Sequence, residues 1–272
     1  MKKTFLLTLI IGIMSFSSNI FAETIDEIVK KADAAMKNVK TCSYDFYSQE
    51  RFKNGKIIKS YIQFKIQESP VKKTYANSIE PQKAQLIYIP SVQSKVKVKK
   101  GPFTPNLELT SGLLMSEQHQ TIDRAGFGRV RKVLMTSIDA RKGQDLNKFA
   151  KITGSVNYDG KDCYRIEIID PDYKIVEHTV TATQTSVWKL GEQLAIPEYR
   201  IKELNGLGKD ELTPGQKIKI PTSYAKKTII YLDKASYLPL YQRMEDDLGM
   251  YETYEMKNLK VGVSLTDEDF QF

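Results

Sequence analysis

Few side chains in this 272-residue sequence have the types and spacing that catalysis requires. The imidazoles are His119 and His178, and the thiols are Cys42 and Cys163. Cys163 with His119 as its base would suit nucleophilic catalysis, but nothing in the spacing brings the two together. HExxH zinc, Walker and Gly-x-Ser-x-Gly motifs are absent from the sequence. We therefore predict no catalytic residue, no metal site and no cofactor, and expect His119 to make a structural hydrogen bond in its loop.

The two cysteines leave two alternatives open. Each precedes a strand-like pattern, Tyr44-Asp45-Phe46 after Cys42 and Tyr164-Arg165-Ile166 after Cys163. An exported chain permits a disulfide between them. The alternative is a pair of buried, unpaired thiols, because sequence alone does not place two cysteines within bonding distance.

The N-terminus has the pattern of a secretory signal peptide. Lys2 and Lys3 precede an apolar run from Phe5 to Met14, and a serine-rich stretch then leads to Ala22. The apolar run is shorter than the roughly 17 to 25 residues of a membrane helix. We therefore expect cleavage near Ala22 and a periplasmic mature protein, with no transmembrane segment after cleavage.

The charge balance is mildly basic. The chain has 41 basic and 33 acidic residues, so that removing Lys2 and Lys3 leaves 39 against 33, a formal +6. Clustered arginines with interleaved aromatic residues, as in nucleic-acid-binding proteins, are not found, and no nucleic-acid partner is predicted. Lys95, Lys97 and Lys99 alternate with valines, which indicates either a solvated sheet face or a contact for anionic glycan or lipid head groups.

The elements that must position these side chains are one helix followed by many strands. From Thr24 to Val39 apolar residues recur at helical spacing, with Thr24 as a candidate N-cap. Alternation then predicts antiparallel strands on both sides of a hairpin turn at Asn54-Gly55, with another turn at Asp159-Gly160. A second helix is expected near Thr121. Its apolar side would carry Ile122, Gly126, Val130, Val133 and Leu134.

A different pattern interrupts the strands near residue 178. The phrases Val187-Trp188-Lys189-Leu190, Leu204-Asn205-Gly206-Leu207 and Pro214-Gly215-Gln216-Lys217-Ile218-Lys219-Ile220-Pro221 resemble a LysM repeat over residues 178–221. This resemblance implies a βααβ module that binds peptidoglycan or another N-acetylglucosamine glycan. Because its two strands pair, its ends lie close together and it can be inserted into a hairpin of a larger domain.

The resemblance places glycan binding in the loops of this module. The residues implied are Thr183, Gln184, Thr185, Ser186, Gly206, Leu207 and Gly208. The first loop lacks the glycine and aspartate usual in the family, so a retained scaffold or protein contact is the alternative to glycan binding. For Trp188 we expect core packing rather than a platform for sugar.

The rest of the chain resembles the outer-membrane lipoprotein-carrier-like (LolA/LolB-like) fold. The phrases that carry this resemblance are Gln85-Leu86-Ile87-Tyr88, His119 through Phe127, Cys163 through Glu167, and Tyr231-Leu232-Asp233-Lys234. It implies an incomplete barrel with covering helices and a concave apolar face for a lipid or lipoprotein acyl chain, or for a hydrophobic partner. The alternative is an ordinary filled core.

These patterns predict an α+β fold, a large curved antiparallel sheet with an inserted LysM-like module. The expected parts are a signal peptide at 1–22, a main domain at 23–177 and 223–272, and the insert at 178–222. The predicted function is a non-catalytic cell-envelope protein that binds a hydrophobic ligand or partner and peptidoglycan. A cell-wall hydrolase or accessory factor, and a structural or assembly protein with a non-binding LysM scaffold, are the alternatives.

Overall fold

The computed structural model describes residues 23–272; the predicted signal peptide at 1–22 lies outside them. The strands are β1 (Thr41–Arg51), β2 (Ile57–Gln67), β3 (Lys73–Glu80), β4 (Ala84–Tyr88), β5 (Val96–Lys99), β6 (Asn106–Leu107), β7 (Ala150–Tyr158), β8 (Lys161–Ile169), β9 (Ile175–Thr179), β10 (Lys217–Pro221), β11 (Lys227–Asp233), β12 (Pro239–Asp246) and β13 (Gly249–Val261). The helices are α1 (Ile25–Asn38), α2 (Gly112–Met115), α3 (Gly128–Asp139), α4 (Val187–Leu194) and α5 (Glu198–Asn205).

Eleven of these strands form one antiparallel sheet. Their order is β6-β5-β4-β3-β2-β1-β13-β12-β11-β8-β7, with β6 and β7 at opposite edges, so the sheet is not closed into a barrel. The predicted alternation is present, since Ile62, Phe64 and Ile66 of β2 are buried while their neighbours face outward. The α+β class with an incomplete barrel is therefore confirmed.

The two predicted hairpin turns differ in length. Tyr158 pairs with Lys161, so Asp159 and Gly160 form a two-residue turn in which both have positive φ. The β1–β2 hairpin is present, but a short 3-10 helix over Lys53–Gly55 makes its loop longer than the expected two residues.

Helix α1 covers the concave side of the sheet. Thr24 caps it through a capping box with Glu27, and its apolar stripe contributes Ile28 and Met36 to the main core. The second helix begins later than predicted. Gly126 has a φ of 90°, which a helix does not accept, so α3 starts only at Gly128.

A second, two-stranded sheet pairs β9 with β10 and carries α4 and α5 between them. We call residues 175–221 the insert and the rest of the described chain the main domain. The flanking strands β8 and β11 are antiparallel neighbours, with Ile169 opposite Lys227. The large sheet is therefore continuous across the insertion point. Strand β9 begins at Ile175 and thus crosses the boundary expected at residue 178.

The possible disulfide is not formed, because Cys42 and Cys163 are both free and buried. Cys42 belongs to the main core on the concave side of the sheet. On β8, Tyr164 and Ile166 face that core, so Cys163, which directly precedes Tyr164, points to the opposite side. The sheet itself separates the two thiols.

Candidate functional site

A cavity of about 460 Å³ lies between the concave face of the sheet and helix α3. Its floor is formed by side chains of the central strands, among them Phe46, Phe64 and Met244. Its cover includes Val130, Val133 and Leu134 of α3. The lining is mainly apolar and concave, as in sites for small hydrophobic ligands.

Helix α3 explains why the cavity is open rather than filled. Its sequence is amphipathic, yet none of its residues is buried. An apolar helix face normally packs fully into a core, whereas Val130 and Leu134 are only half-buried against the main core and line the cavity together with Val133. Of the two readings that the sequence left open, the structure shows the open concave surface.

Polar side chains gather at one end of the cavity around Glu50, which lines it. The Tyr254 hydroxyl donates to one Glu50 oxygen at 2.7 Å, and the backbone N–H of His119 donates to the other at 2.7 Å. The His119 Nδ1 lies 2.9 Å from Glu252, whose second oxygen accepts from the Tyr224 hydroxyl at 2.8 Å. Every carboxylate oxygen in this buried network therefore has a partner.

The Glu50 carboxylate and the His119 imidazole shift each other's pKa values. Burial raises the pKa of Glu50. Burial alone would lower the pKa of His119, but the carboxylates of Glu50 and Glu252 outweigh it and raise that pKa. These three residues also place ligand atoms within 4.8 Å of one another, so between residues 23 and 272 they are the group that could hold a metal ion.

His119 makes buried hydrogen bonds, but its partners lie far away in sequence and not in its own loop. Glu50 is 69 residues and Glu252 is 133 residues distant. Sequence reasoning missed both carboxylates. The sequence does hold one indication for Glu50. In the alternation of β1 it falls on the same inward-facing side as Cys42, Tyr44 and other buried residues. A charged residue at an inward position of a strand needs a buried partner.

The His119 ring also joins the insert to the main domain. It stacks on Tyr199 of α5 with ring centroids 4.3 Å apart, and Phe52 of the main domain contacts both rings. The Tyr199 hydroxyl accepts a hydrogen bond from the backbone N–H of Lys53 at 2.9 Å. Aromatic contacts thus fix one side of α5 against the β1–β2 hairpin.

Buried ion pairs hold the same helix on its other sides. Glu198 lies 2.7 Å from Arg124 and 3.3 Å from Arg129 of the main domain. Arg200 lies 3.2 Å from Asp246 and 2.9 Å from Asp247 in the β12–β13 hairpin. Buried ion pairs and aromatic contacts therefore hold the insert directly against the main domain.

The two loops predicted to bind glycan lie next to each other on the insert. They run side by side, because Leu212 donates its backbone N–H to Thr185 and Val187 donates to Asp210. Thr183, Thr185, Gly206 and Gly208 are the exposed members of the predicted set. The structure thus brings the two loops together on the solvent side of the insert.

The other predicted glycan-binding residues serve the loops themselves. The Gln184 amide oxygen accepts from the backbone N–H of Thr181 at 3.0 Å and lies 2.8 Å from His178 Nε2. Ser186 caps α4 by accepting from the backbone N–H of Lys189. Leu207 packs against the insert core. These three side chains therefore make contacts within the insert.

Trp188 occupies neither of the positions considered for it. It is half-buried and is not part of the insert core. The Arg124 guanidinium lies 5.2 Å from its ring centroid, in a cleft between α4 and the main domain. The expectation of core packing is wrong, because α4 turns this side of its surface toward the main domain.

The lysine row of β5 has partners within the chain. Lys95 lies 3.1 Å from Glu108. The ammonium groups of Lys97 and Lys99 lie 5.1 and 5.7 Å from the ring centroid of Phe272. These contacts favour a solvated sheet face over a contact for anionic head groups. Part of this face is covered by the C-terminal Phe272.

None of the helices between residues 23 and 272 combines the length and the apolar character needed to cross a bilayer. A search of the curated protein sequences found no match to the chain.

Several solved structures resemble the chain. One is MucB, at 10% identity and a TM-score of 0.46, covering 91% of this chain and 62% of that chain. LprF from Mycobacterium bovis is 8% identical, with a TM-score of 0.44 and coverage of 88% of this chain and 93% of that chain. A LolA superfamily protein from Nitrosomonas europaea is 10% identical, with a TM-score of 0.33 and coverage of 92% and 99%. The chain thus spans less than two thirds of the length of MucB.

The comparison with family models identifies the insert. Residues 178–221 match the family model described as LysM domain. The matched segment includes α4, α5 and β10 and ends with that strand at Pro221. The segment that matches the LysM domain model thus lies between two neighbouring strands of a large antiparallel sheet.

Proposed function

We propose that this protein is a non-catalytic binding protein of the cell envelope, exported to the periplasm. Its main domain binds a hydrophobic ligand or partner segment in the cavity, and its insert binds peptidoglycan. The observation that carries the proposal is the open cavity of about 460 Å³ beneath α3. No side chain of α3 is fully buried. An apolar surface kept unfilled suits uptake of an apolar ligand such as a lipid or lipoprotein acyl chain.

We further propose that the chain divides into a main domain at 23–177 and 223–272 and a LysM insert at 178–222. Strand β9 crosses the first boundary. The continuity of the large sheet across the insertion point supports this division, because the main domain closes its own hydrogen bonds from β8 to β11.

We propose that the glycan binds in a solvent-facing groove between the loops 181–186 and 206–213. Thr183, Thr185, Gly206 and Gly208 contribute exposed surface, while Gln184, Ser186 and Leu207 hold the loops in shape. The groove is supported as a binding surface by its position, since the insert docks to the main domain through α4 and α5 instead.

Sedimentation with purified peptidoglycan tests the glycan half of the proposal. The wild-type protein is expected to sediment, and Thr185→Trp is expected to remain in the supernatant because its ring fills the groove. Lys217→Gln, on the exposed end of β10, is the matched control. Equal sedimentation of the wild type and Thr185→Trp would place glycan binding elsewhere, and no sedimentation of the wild type would refute it.

Mass spectrometry of organic extracts tests the cavity half. Gentle purification of the mature protein is expected to retain an acyl lipid or another apolar molecule. Val133→Trp is expected to abolish that signal, because the larger side chain occupies the cavity. An extract without any apolar molecule, together with no uptake of added fatty acid, would refute the hydrophobic-ligand function.

A further inference from the structure

The end of helix α4 contributes side chains to the cavity of the main domain. Leu194 and Ala195 of the insert line the cavity together with Val130 and Val133 of α3. Leu194 is 38% exposed, whereas Leu190, one turn earlier, is fully buried in the insert core. Both leucines lie on the same side of α4, but Leu194 is the last residue of the helix, so it extends beyond the insert core and reaches the cavity.

Charge complementarity holds this part of the insert in place. Glu198, whose side chain is fully buried, accepts hydrogen bonds from Arg124 and Arg129 of the main domain. Both arginines also line the cavity. Glu192 of α4 pairs with Arg129 at 3.1 Å and contacts Lys132. The insert therefore presents carboxylates where α3 and the turn before it present cations.

A glycine permits the close approach that this arrangement needs. A Cβ on Gly191 would lie 2.4 Å from Cγ of Glu198, closer than any real contact. Because Gly191 has no side chain, Glu198 passes across α4 and reaches the arginines. This feature serves the contact with the main domain and lies away from the glycan loops.

From these contacts we propose that the LysM insert has a second function, as one side of the hydrophobic-ligand site. Leu194 and Ala195 contact the bound apolar ligand, and the Glu198 ion pairs with Arg124 and Arg129 hold them in position. The ligand class is a neutral or acyl-type apolar molecule, because the contributed surface is aliphatic. This inference rests on the proposed hydrophobic-ligand function of the cavity.

Titration with the neutral fluorescent probe N-phenyl-1-naphthylamine tests the inference on the full mature chain. Leu194→Asp is expected to weaken probe binding about tenfold, because it places a carboxylate against the apolar ligand. Leu194→Met, which nearly conserves volume, is expected to bind like the wild type. Val92→Asp, at a 77% exposed loop position outside the cavity lining, is the charge-matched control.

Folding of each variant is checked by urea unfolding followed through Trp188, the single tryptophan. If Leu194→Asp does not fold, Leu194→Ala serves instead, with an expected loss of about fivefold from the missing contact. Probe binding by the wild type with no loss in the Leu194 variants would overturn the inference and leave the cavity function standing. A wild type that binds no probe would refute both.

Discussion

The insert and the main domain bury their apolar side chains in different ways. The insert has a small core that is filled by eight buried residues, namely Val180, Val187, Leu190, Ile196, Ile201, Leu212, Ile218 and Ile220. The main domain has a much larger core, but it leaves about 460 Å³ open beneath α3. The smaller unit is thus fully packed, and the larger one is partly hollow.

This difference suits the two units to different tasks, the insert to stability and the main domain to ligand binding. A filled core resists deformation and has no room for a ligand. A hollow core gives up part of the contact energy that its lining could supply. Helix α3 has no buried residue, whereas α1 has four. Ion pairs with the insert compensate, because Arg129 of α3 is held by Glu198 and Glu192. The insert therefore stabilises the position of α3 over the cavity of the main domain.

The largest expected effect comes from truncating a leucine in each core. Leu190→Ala should lower the free energy of unfolding by about 4 kcal/mol, because it leaves a cavity in a packed core. Leu134→Ala should cost about 1 kcal/mol, because this side chain is only half-buried against the main core and lines the cavity on its other side. Urea unfolding measures both. Equal costs would mean that α3 packs as tightly as the insert core.

Ion pairs at the junction should have the second-largest effect. Glu198→Gln should destabilise the protein by roughly 3 kcal/mol, because it removes the buried carboxylate and leaves Arg124 and Arg129 only the half-exposed Glu192. The matched control is Glu177→Gln, whose partner Lys217 is 69% exposed, and it should cost under about 0.5 kcal/mol.

The same pair of variants shows whether the junction couples the two units. In the wild type, a single unfolding transition is expected by both Trp188 fluorescence and far-ultraviolet circular dichroism. In Glu198→Gln, the Trp188 transition should come at lower urea, because Trp188 lies at the junction beside Arg124. Coincident transitions in Glu198→Gln would show that the ion pairs are not what joins the units.

Much of the fold followed from local patterns in the sequence. Alternation on β2 gave the buried face of Ile62, Phe64 and Ile66, because a strand directs alternate side chains to opposite sides. The closing phrase from Pro214 to Pro221 identified the insert, because the turn and strand of a small module depend on few residues. Both signals lie within a short stretch of chain.

What the sequence did not reveal depends on residues that are distant in the chain. Periodicity shows which side of α3 is apolar, but not whether that side meets packed side chains or open volume. Glu198 and Arg124 are 74 residues apart, and neither has a local pattern that predicts an ion pair. Trp188 was misassigned for the same reason, since the surface that covers it belongs to the main domain.

Enlarging one valine in each core should also distinguish the filled core from the hollow one, with a smaller change in the free energy of unfolding. Val187→Phe adds volume to the filled insert core and should cost about 2 kcal/mol. Val133→Phe adds the same volume to the cavity and should change stability by less than about 0.5 kcal/mol, while it weakens binding of the naphthylamine probe. A large loss of stability in Val133→Phe would contradict the open cavity.

The smallest expected effect is a pH dependence at the junction. Because Glu50 and Glu252 raise the pKa of His119 against the effect of burial, the folded state binds this proton more tightly than the unfolded state. The resulting stabilisation is fully present below about pH 6.5 and is lost as pH rises through the folded pKa. Unfolding free energies should therefore fall above about pH 6.5 in the wild type.

Nuclear magnetic resonance of the two imidazoles locates that window directly. The His119 signal, identified by its loss in His119→Asn, should titrate above the value of a free imidazole. His119→Asn keeps a donor toward Glu252 but has no ionisable group, so it should lose the part of the pH dependence that follows the His119 titration. Tyr199, which stacks on this ring, belongs to the insert. A His119 pKa at or below the free value would show that the carboxylates do not hold the proton, and that aromatic stacking and the Glu198 ion pairs join the two units without it.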